Sequence, residues 1–368
     1  MASRARALAL GGIALVLLLC AVGAGAAASR PYLDIRVFTK VGQPGQPEPI
    51  AIGPDRRVYV GTNQLGHGGA DAPSRIFAYS FRGRLLRQYV LKGQPLSENH
   101  GIQGLAFDGH GLLYALDRSA NPRVVRINTK TGRQRVYSRF RDVPPCNGPT
   151  SGNCSQTIRD LPAGPDYAAF GPGGNLYVTD IDQALIWKVP RGGGRPSIWL
   201  TDPRFESLYG PNGIQFKRDG RTMLFVNTAS NPGAGNSLTG RIYRVRIGRG
   251  GRPVHLREVW ESNVLDAPDG LAIARSGRIY VALAGMSQVL VLSPRFEEIA
   301  RVPPSPAANE AEEIPLDGPG SVAFLGRRLL VSNHSPIRGD PASWAILDVW
   351  AGERGLPLFK PRIRRRRG

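Results

Sequence analysis

Short alternating runs dominate the chain: apolar residues occupy every second position over five or six residues, then Gly, Pro, Asn or Asp interrupts. A period of two, broken this often, is the mark of half-buried strands joined by tight turns. One larger unit made of such runs recurs. It opens with a strand mixing small, polar and apolar residues, turns through Gly or Asp, and continues in an apolar strand centred on Tyr or Phe. The first three copies are Glu48-Pro-Ile-Ala-Ile with Val58-Tyr-Val, Gln103-Gly-Leu-Ala-Phe with Leu113-Tyr-Ala, and Asp166-Tyr-Ala-Ala-Phe with Leu176-Tyr-Val. The next three are Asn212-Gly-Ile-Gln-Phe with Leu224-Phe-Val, Asp269-Gly-Leu-Ala-Ile with Ile279-Tyr-Val, and Gly320-Ser-Val-Ala-Phe with Leu329-Leu-Val.

Each copy continues into a third alternating run, for example Arg75-Ile-Phe-Ala-Tyr, Leu185-Ile-Trp-Lys-Val and Gln288-Val-Leu-Val-Leu. Fourth strands are expected near Gln88, Arg135, Ile198, Glu258 and Ile299. The sixth unit has none after Val349, whereas a spare strand, Leu33-Asp-Ile-Arg-Val-Phe, precedes the first. Pairing the two closes a ring. The pattern therefore predicts an all-β fold, a six-bladed β-propeller whose N-terminal strand completes the last blade, over residues 29–360. Trp187, Trp199 and Trp344 fall on outer strands, where packing between blades accounts for them.

Composition agrees with this picture. The 46 Gly and 31 Pro supply turns for many short strands. The formal charge of +20 invites a nucleic-acid reading, but only six of the 48 basic residues are Lys, and the Arg are scattered. No recognised module, basic stripe or set of stacking aromatics accompanies them, so no nucleic-acid partner is expected. The exception is residues 361–368, an Arg-rich tail expected to be disordered and able to touch anionic envelope surfaces.

Arg4 and Arg6 precede an apolar run to about Val22 and a small-residue stretch ending at Ala28. This order is that of a secretory signal peptide, residues 1–28, with an uncleaved membrane anchor as the alternative. Removing Cys20 with the signal leaves Cys146 and Cys154, in an insertion loop at 142–160. In an oxidising compartment this pair is expected to form a local disulfide.

The leading residue of each unit forms a column facing the channel mouth: Glu48, Gln103, Asp166, Asn212, Asp269 and Gly320. Turn chemistry explains an Asn or Asp before Gly, but not Glu48 before Pro49. Converging carboxylates repel, and an all-oxygen set suits a hard divalent cation, Ca²⁺ first, with Mg²⁺, Mn²⁺ or Zn²⁺ as alternatives. Asp117, Asp180 and Asn333, at the ends of second strands, are expected to line the same channel as Gln103. His100 and His334 lie near rim turns as further channel contacts, with plain solvation as the competing reading.

Pro47-Glu48-Pro-Ile-Ala, Pro211-Asn212-Gly-Ile and Pro268-Asp269-Gly-Leu, in units one, four and five, resemble the SMP-30/gluconolactonase/LRE-like family. The resemblance covers about residues 33–350. It implies a lactonase with one divalent metal on Glu48, Asn212 and Asp269. It further implies that Asp269 couples metal ligation to proton transfer, with Asp166 as the second catalytic candidate. In unit three, Ala163-Gly-Pro165-Asp166 lacks the Asn and Arg with which family lactonases hold substrate. Strictosidine-synthase-like and arylesterase-like propellers are more distant relatives of the pattern. The expected function is an exported hydrolase of a small lactone or ester; the alternative is a non-catalytic extracytoplasmic propeller of the NHL-like kind. A quinone-dependent dehydrogenase would need basic and His cofactor contacts that cannot be picked out. Serine-hydrolase, zincin and Walker-loop motifs are lacking.

Overall fold

The computed structural model describes residues 30–64, 72–146, 154–156, 160–230 and 238–363; the signal peptide assigned to 1–28, much of the insertion loop and the last five residues lie outside them. From Tyr32 onward the chain is an all-β propeller. Four sheets contain four strands each, and a fifth contains eight, units one and two being joined through the single pair Asn63 and Gly101. The innermost strands are Gln46–Ile52, Gly101–Phe107, Pro165–Phe170, Ser207–Phe216, Pro268–Ile273 and Pro319–Leu325. Each contacts the next, and the last returns to the first, which makes a closed cycle.

Closure follows the expected route. Ile35–Lys40 pairs antiparallel with Ala345–Trp350, Ile35 opposite Val349 and Lys40 opposite Ala345, as the fourth strand of the last sheet. The fourth strands of the other units are Leu85–Val90, Gln134–Arg139, Ser197–Thr201, Pro253–Val264 and Glu298–Val302. This pairing ties the start of the ring to its last sheet, with Ile35–Lys40 as that sheet's outer strand.

The repeated Tyr and Phe have one job. The Tyr of a second strand meets, edge to face, the Phe ending the next unit's inner strand. The pairs are Tyr59–Phe107, Tyr114–Phe170, Tyr177–Phe216 and Tyr280–Phe324, with centroids 4.9, 5.0, 5.4 and 5.3 Å apart. Such pairs contribute about 0.5–1.5 kcal/mol each beyond the area they bury. Trp187 is fully buried among units two and three, as its outer-strand position suggested.

At the axis the strands approach too closely for ordinary side chains. A Cβ on Gly104 would lie 2.6 Å from the Asp166 carbonyl oxygen. One on Gly270 would lie 2.6 Å from that of Gly320 and 2.7 Å from the Tyr167 hydroxyl. The glycine after a column residue is thus a packing requirement rather than a turn signal. Within the insertion loop, Cys146 and Cys154 form the expected disulfide, with Cα atoms 4.9 Å apart. A short helix, Pro306–Glu310, was not foreseen; Ser305 caps it by accepting from the Ala308 amide.

The chain end crosses the far mouth of the channel. The Arg275 amide donates to Arg354 O, the Leu356 amide to Ile273 O, and the Gly109 amide to Pro361 O, at 2.8, 2.8 and 2.9 Å. Lys360 Nζ donates to Ile52 O at 2.7 Å, and Arg191 to Arg362 O at 2.7 Å. Residues 361–363, assigned by sequence to the loose tail, are therefore tied down, and Ile363 is buried with the core of units two and three.

Gly270→Ala should destabilise the fold by about 1–3 kcal/mol through overpacking at the axis. Gly173→Ala, whose Cβ would meet nothing within 4 Å, should stay within about 0.5 kcal/mol of the parent. Urea unfolding of the two variants checks the contrast.

Candidate functional site at the channel mouth

Every innermost strand breaks register with its neighbour at the column. The shifts fall between Pro47 and Ile50, Ile102 and Gly104, Pro165 and Ala168, Pro211 and Ile214, Pro268 and Leu271, and Pro319 and Val322. A bulge frees a residue from the ladder and re-aims its side chain. Glu48, Gln103, Asp166, Asn212 and Asp269 are the residues so freed, and all but the partly open Asp269 are nearly inaccessible. In unit six the column residue is Gly320, and a Cβ there would collide with the Glu48 carboxylate. The glycine leaves room for the glutamate.

The polar contacts divide these groups. Asn212 Nδ2 donates to Thr228 Oγ1 at 2.9 Å, which orients the amide and leaves Oδ1 buried without a donor. Asp269 Oδ1 and Glu48 Oε2 are likewise buried with no hydrogen bond of good geometry, although His334 Nδ1 lies 2.5 Å from Glu48 Oε2 as an ion-pair contact. Gln103 Nε2 is buried without an acceptor. The Tyr167 hydroxyl donates to Gly320 O at 3.1 Å.

Crowding of acids shifts their protonation. Burial first, then the charges of Glu48 and Asp166, holds the Asp269 carboxyl well above the usual carboxylate range. Asp166 is pushed up by burial as well; Arg118 opposes this, and Glu48, Asp182 and Asp180 add to it. For His334 burial pulls downward, but Glu48 beside it and Asp317 farther off outweigh that, so the imidazolium is favoured.

Other expected channel residues are committed elsewhere. Asp117 accepts from Arg123 Nε and Gln94 Nε2, each at 2.8 Å. Asp180 accepts from the Gly164 and Gln183 amides and from Trp187 Nε1. Asn333 takes the Asp317 amide and donates to Pro315 O and Ser343 O. The His100 ring nitrogens face Glu98 O and Ala72 O at 2.8 and 3.2 Å. Asp180, Asn333 and His100 satisfy buried backbone groups of the adjoining loops, whereas Asp117 holds the side chains of Arg123 and Gln94. Among the described residues no three His, Cys, Asp or Glu gather as a metal group. The candidate set instead takes its third oxygen from the amide of Asn212, and its unpartnered buried oxygens fit a hard cation.

Residues 174–320 match the family described as SMP-30/Gluconolactonase/LRE-like region. The chain resembles that family. No curated protein matches it by sequence. Among solved structures, the calcium-binding protein regucalcin from Agrobacterium tumefaciens is 19% identical, covers 89% of this chain and 99% of its own, and has a TM-score of 0.57. A gluconolactonase from Xanthomonas campestris is 16% identical over 86% of this chain and 88% of its own, TM-score 0.55. Virginiamycin B lyase from Staphylococcus aureus is 14% identical over 86% and 99%, TM-score 0.52. Likenesses this distant show the propeller fold.

Sequence reading missed two neighbours of the acids. Tyr167 stands next to Asp166 in the same bulge, a position that its repeat equivalents fill with Gly, Pro or Ser. Arg118, one residue past Asp117, reaches across to Asp182 at 2.5 Å and stands near Asp166. It offers a cation on the unit-two side of the column, where no motif signalled one.

Burial pushes Asp180 up to about 6, against the three donors that favour its charge. A folded value above the unfolded one means that its contribution is greatest below about pH 4 and is lost as pH rises to about 6. The stability difference between the parent and Asp180→Asn should therefore shrink over that window by about 3 kcal/mol at most, and stay flat above it. Urea unfolding in steps of pH tests this.

Proposed function

We propose that this chain is an exported, metal-dependent hydrolase of the gluconolactonase type, opening a lactone or related ester in the channel of a six-bladed propeller. Six blades follow from counting the eight-stranded sheet as two, in line with the cycle of inner strands. The observation that carries the reading is the set of buried oxygens on Glu48, Asn212 and Asp269 that lack a good donor. Those residues would hold the cation; the calcium-binding regucalcin supports Ca²⁺, and the oxygen ligands admit Mg²⁺ or Mn²⁺. When bound, a divalent ion supplies a Lewis acid for the substrate carbonyl.

The chain's own residues supply the rest. Asp269, with a carboxyl held above the usual range, takes a proton from attacking water and keeps it at Oδ1 or Oδ2. Asp166 is the alternative acceptor, with Arg118 limiting its rise. Thr228 fixes the amide of Asn212 so that its oxygen, not its nitrogen, meets the site. The signal-like residues 1–28 and the Cys146–Cys154 disulfide support export to an oxidising compartment. Among the described residues no helix is long and apolar enough to cross a membrane.

The second reading is a non-catalytic ligand-binding propeller. It is favoured by Ala163-Gly164-Pro165, which leaves unit three without the side chains that family lactonases use on substrate.

Calorimetry with Ca²⁺ and Mn²⁺, together with turnover on a panel of sugar and alkyl lactones, separates the two. Binding with turnover, and a loss of roughly 10²-fold or more in Asp269→Ala, is expected of the hydrolase. Binding without turnover would favour the second reading. Absence of metal binding, together with unchanged turnover in Asp269→Ala, would overturn the first.

A further inference from the structure

A cavity lies on the axis, toward the mouth opposite the acids. Its volume is about 330 Å³, within the range of about 300–1,000 Å³ usual for small-molecule sites. The far halves of the inner strands form its wall, with Phe107, Phe170, Phe216 and Phe324. The crossing C-terminal segment forms its floor with Leu356 and Phe359. Tyr167 belongs to this wall and also stands near Asp269, so it lies between the cavity and the acids of the column.

The chamber is apolar in its body and cationic at its edge. Arg275, Arg354 and Lys360 line it, and no carboxylate does. Lys360 is anchored by its bond to Ile52 O, and burial pulls its ammonium below the usual range, so an anion beside it would restore the charged form. An apolar space of this size leaves its walls without contact atoms on one side, and an apolar ligand recovers those contacts. The segment that forms the floor is held by hydrogen bonds to units one, two, three and five. That is extensive anchoring for a stretch with no strand of its own.

We propose that this axial chamber binds a medium-chain carboxylate, its alkyl chain among the phenylalanines and its head group at Lys360, with Arg275 and Arg354 at the rim. An alkyl chain matches the wall, and one negative charge matches an edge lined by three cations, with Asp55 near Lys360 the acid that acts on it from outside the lining. The site lies apart from Glu48, Asn212 and Asp269, and does not rest on the hydrolase reading.

Calorimetric titration of the full chain with decanoate, and in parallel with decanol, tests the assignment. One decanoate per chain is expected, binding more tightly than decanol. Ala323→Phe, which places a ring inside the chamber, should abolish binding of both. Lys360→Met should weaken decanoate by roughly tenfold or more while leaving decanol unchanged. No heat with decanoate, or equal binding in Ala323→Phe of unchanged circular dichroism, would overturn the site. Equal affinity for the two probes, with no effect of Lys360→Met, would overturn the carboxylate. Neither lactone turnover nor a metal enters the measurement, so failure here and failure of the hydrolase reading are separately visible.

Discussion

The narrowness of the axis governs this molecule. Inner strands meet so closely that Gly104 and Gly270 have no room for a methyl group. A flat ladder carried straight into that space would collide with its neighbours. Each inner strand escapes through a bulge at the same place, and in five of the six the bulge turns a polar side chain inward. Farther from the axis the space widens, and the staggered Tyr–Phe pairs fill it. One geometric constraint therefore yields both the glue between sheets and the polar column.

That column is electrostatically expensive. Two unit charges 4 Å apart interact by about 4 kcal/mol at the effective dielectric of a protein surface, and more when buried. The chain relieves the stress in part by its own means. Burial and mutual repulsion hold the Asp269 and Asp166 carboxyls above the usual carboxylate range, His334 sits against Glu48, and Arg118 stands near Asp166. Arg118 is itself shared with Asp182, so it neutralises neither acid fully. A residual negative field, with buried oxygens on three residues lacking good donors, is what a divalent cation would complete.

The strand order, ring closure and disulfide were legible from sequence because each rests on a local pattern: period-two alternation, a missing and a spare strand, two cysteines alone in one loop. The column was legible for the same reason, as a repeat position. The fate of Asp117, Asp180 and Asn333 was not, because whether an end-of-strand polar residue faces the channel or ties a loop depends on which side chains and backbone groups of neighbouring loops need a partner. Tyr167 and Arg118 were missed since their partners come from other units, far away in sequence. Gly320, an apparent gap in the column, becomes intelligible only when Glu48 is seen to occupy its space. The packed residues 361–363 were hidden by the charge run that follows them.

The inner strands also run from one chemistry to another. Near their beginnings stand the acids and amides of the column; at or next to the ends of four of them stand Phe107, Phe170, Phe216 and Phe324, and the other two end in Ile52 and Ile273. Since all inner strands point the same way through the cycle, their beginnings gather at one mouth and their ends at the other. A polar column and an apolar chamber on the same axis follow from that polarity, with Tyr167 between them and the chain end beneath. The two must then have different ligand preferences: burying an alkyl chain among the column's carboxyls and amides, or an unpaired charge among phenylalanines, would in each case leave polar groups desolvated without compensation.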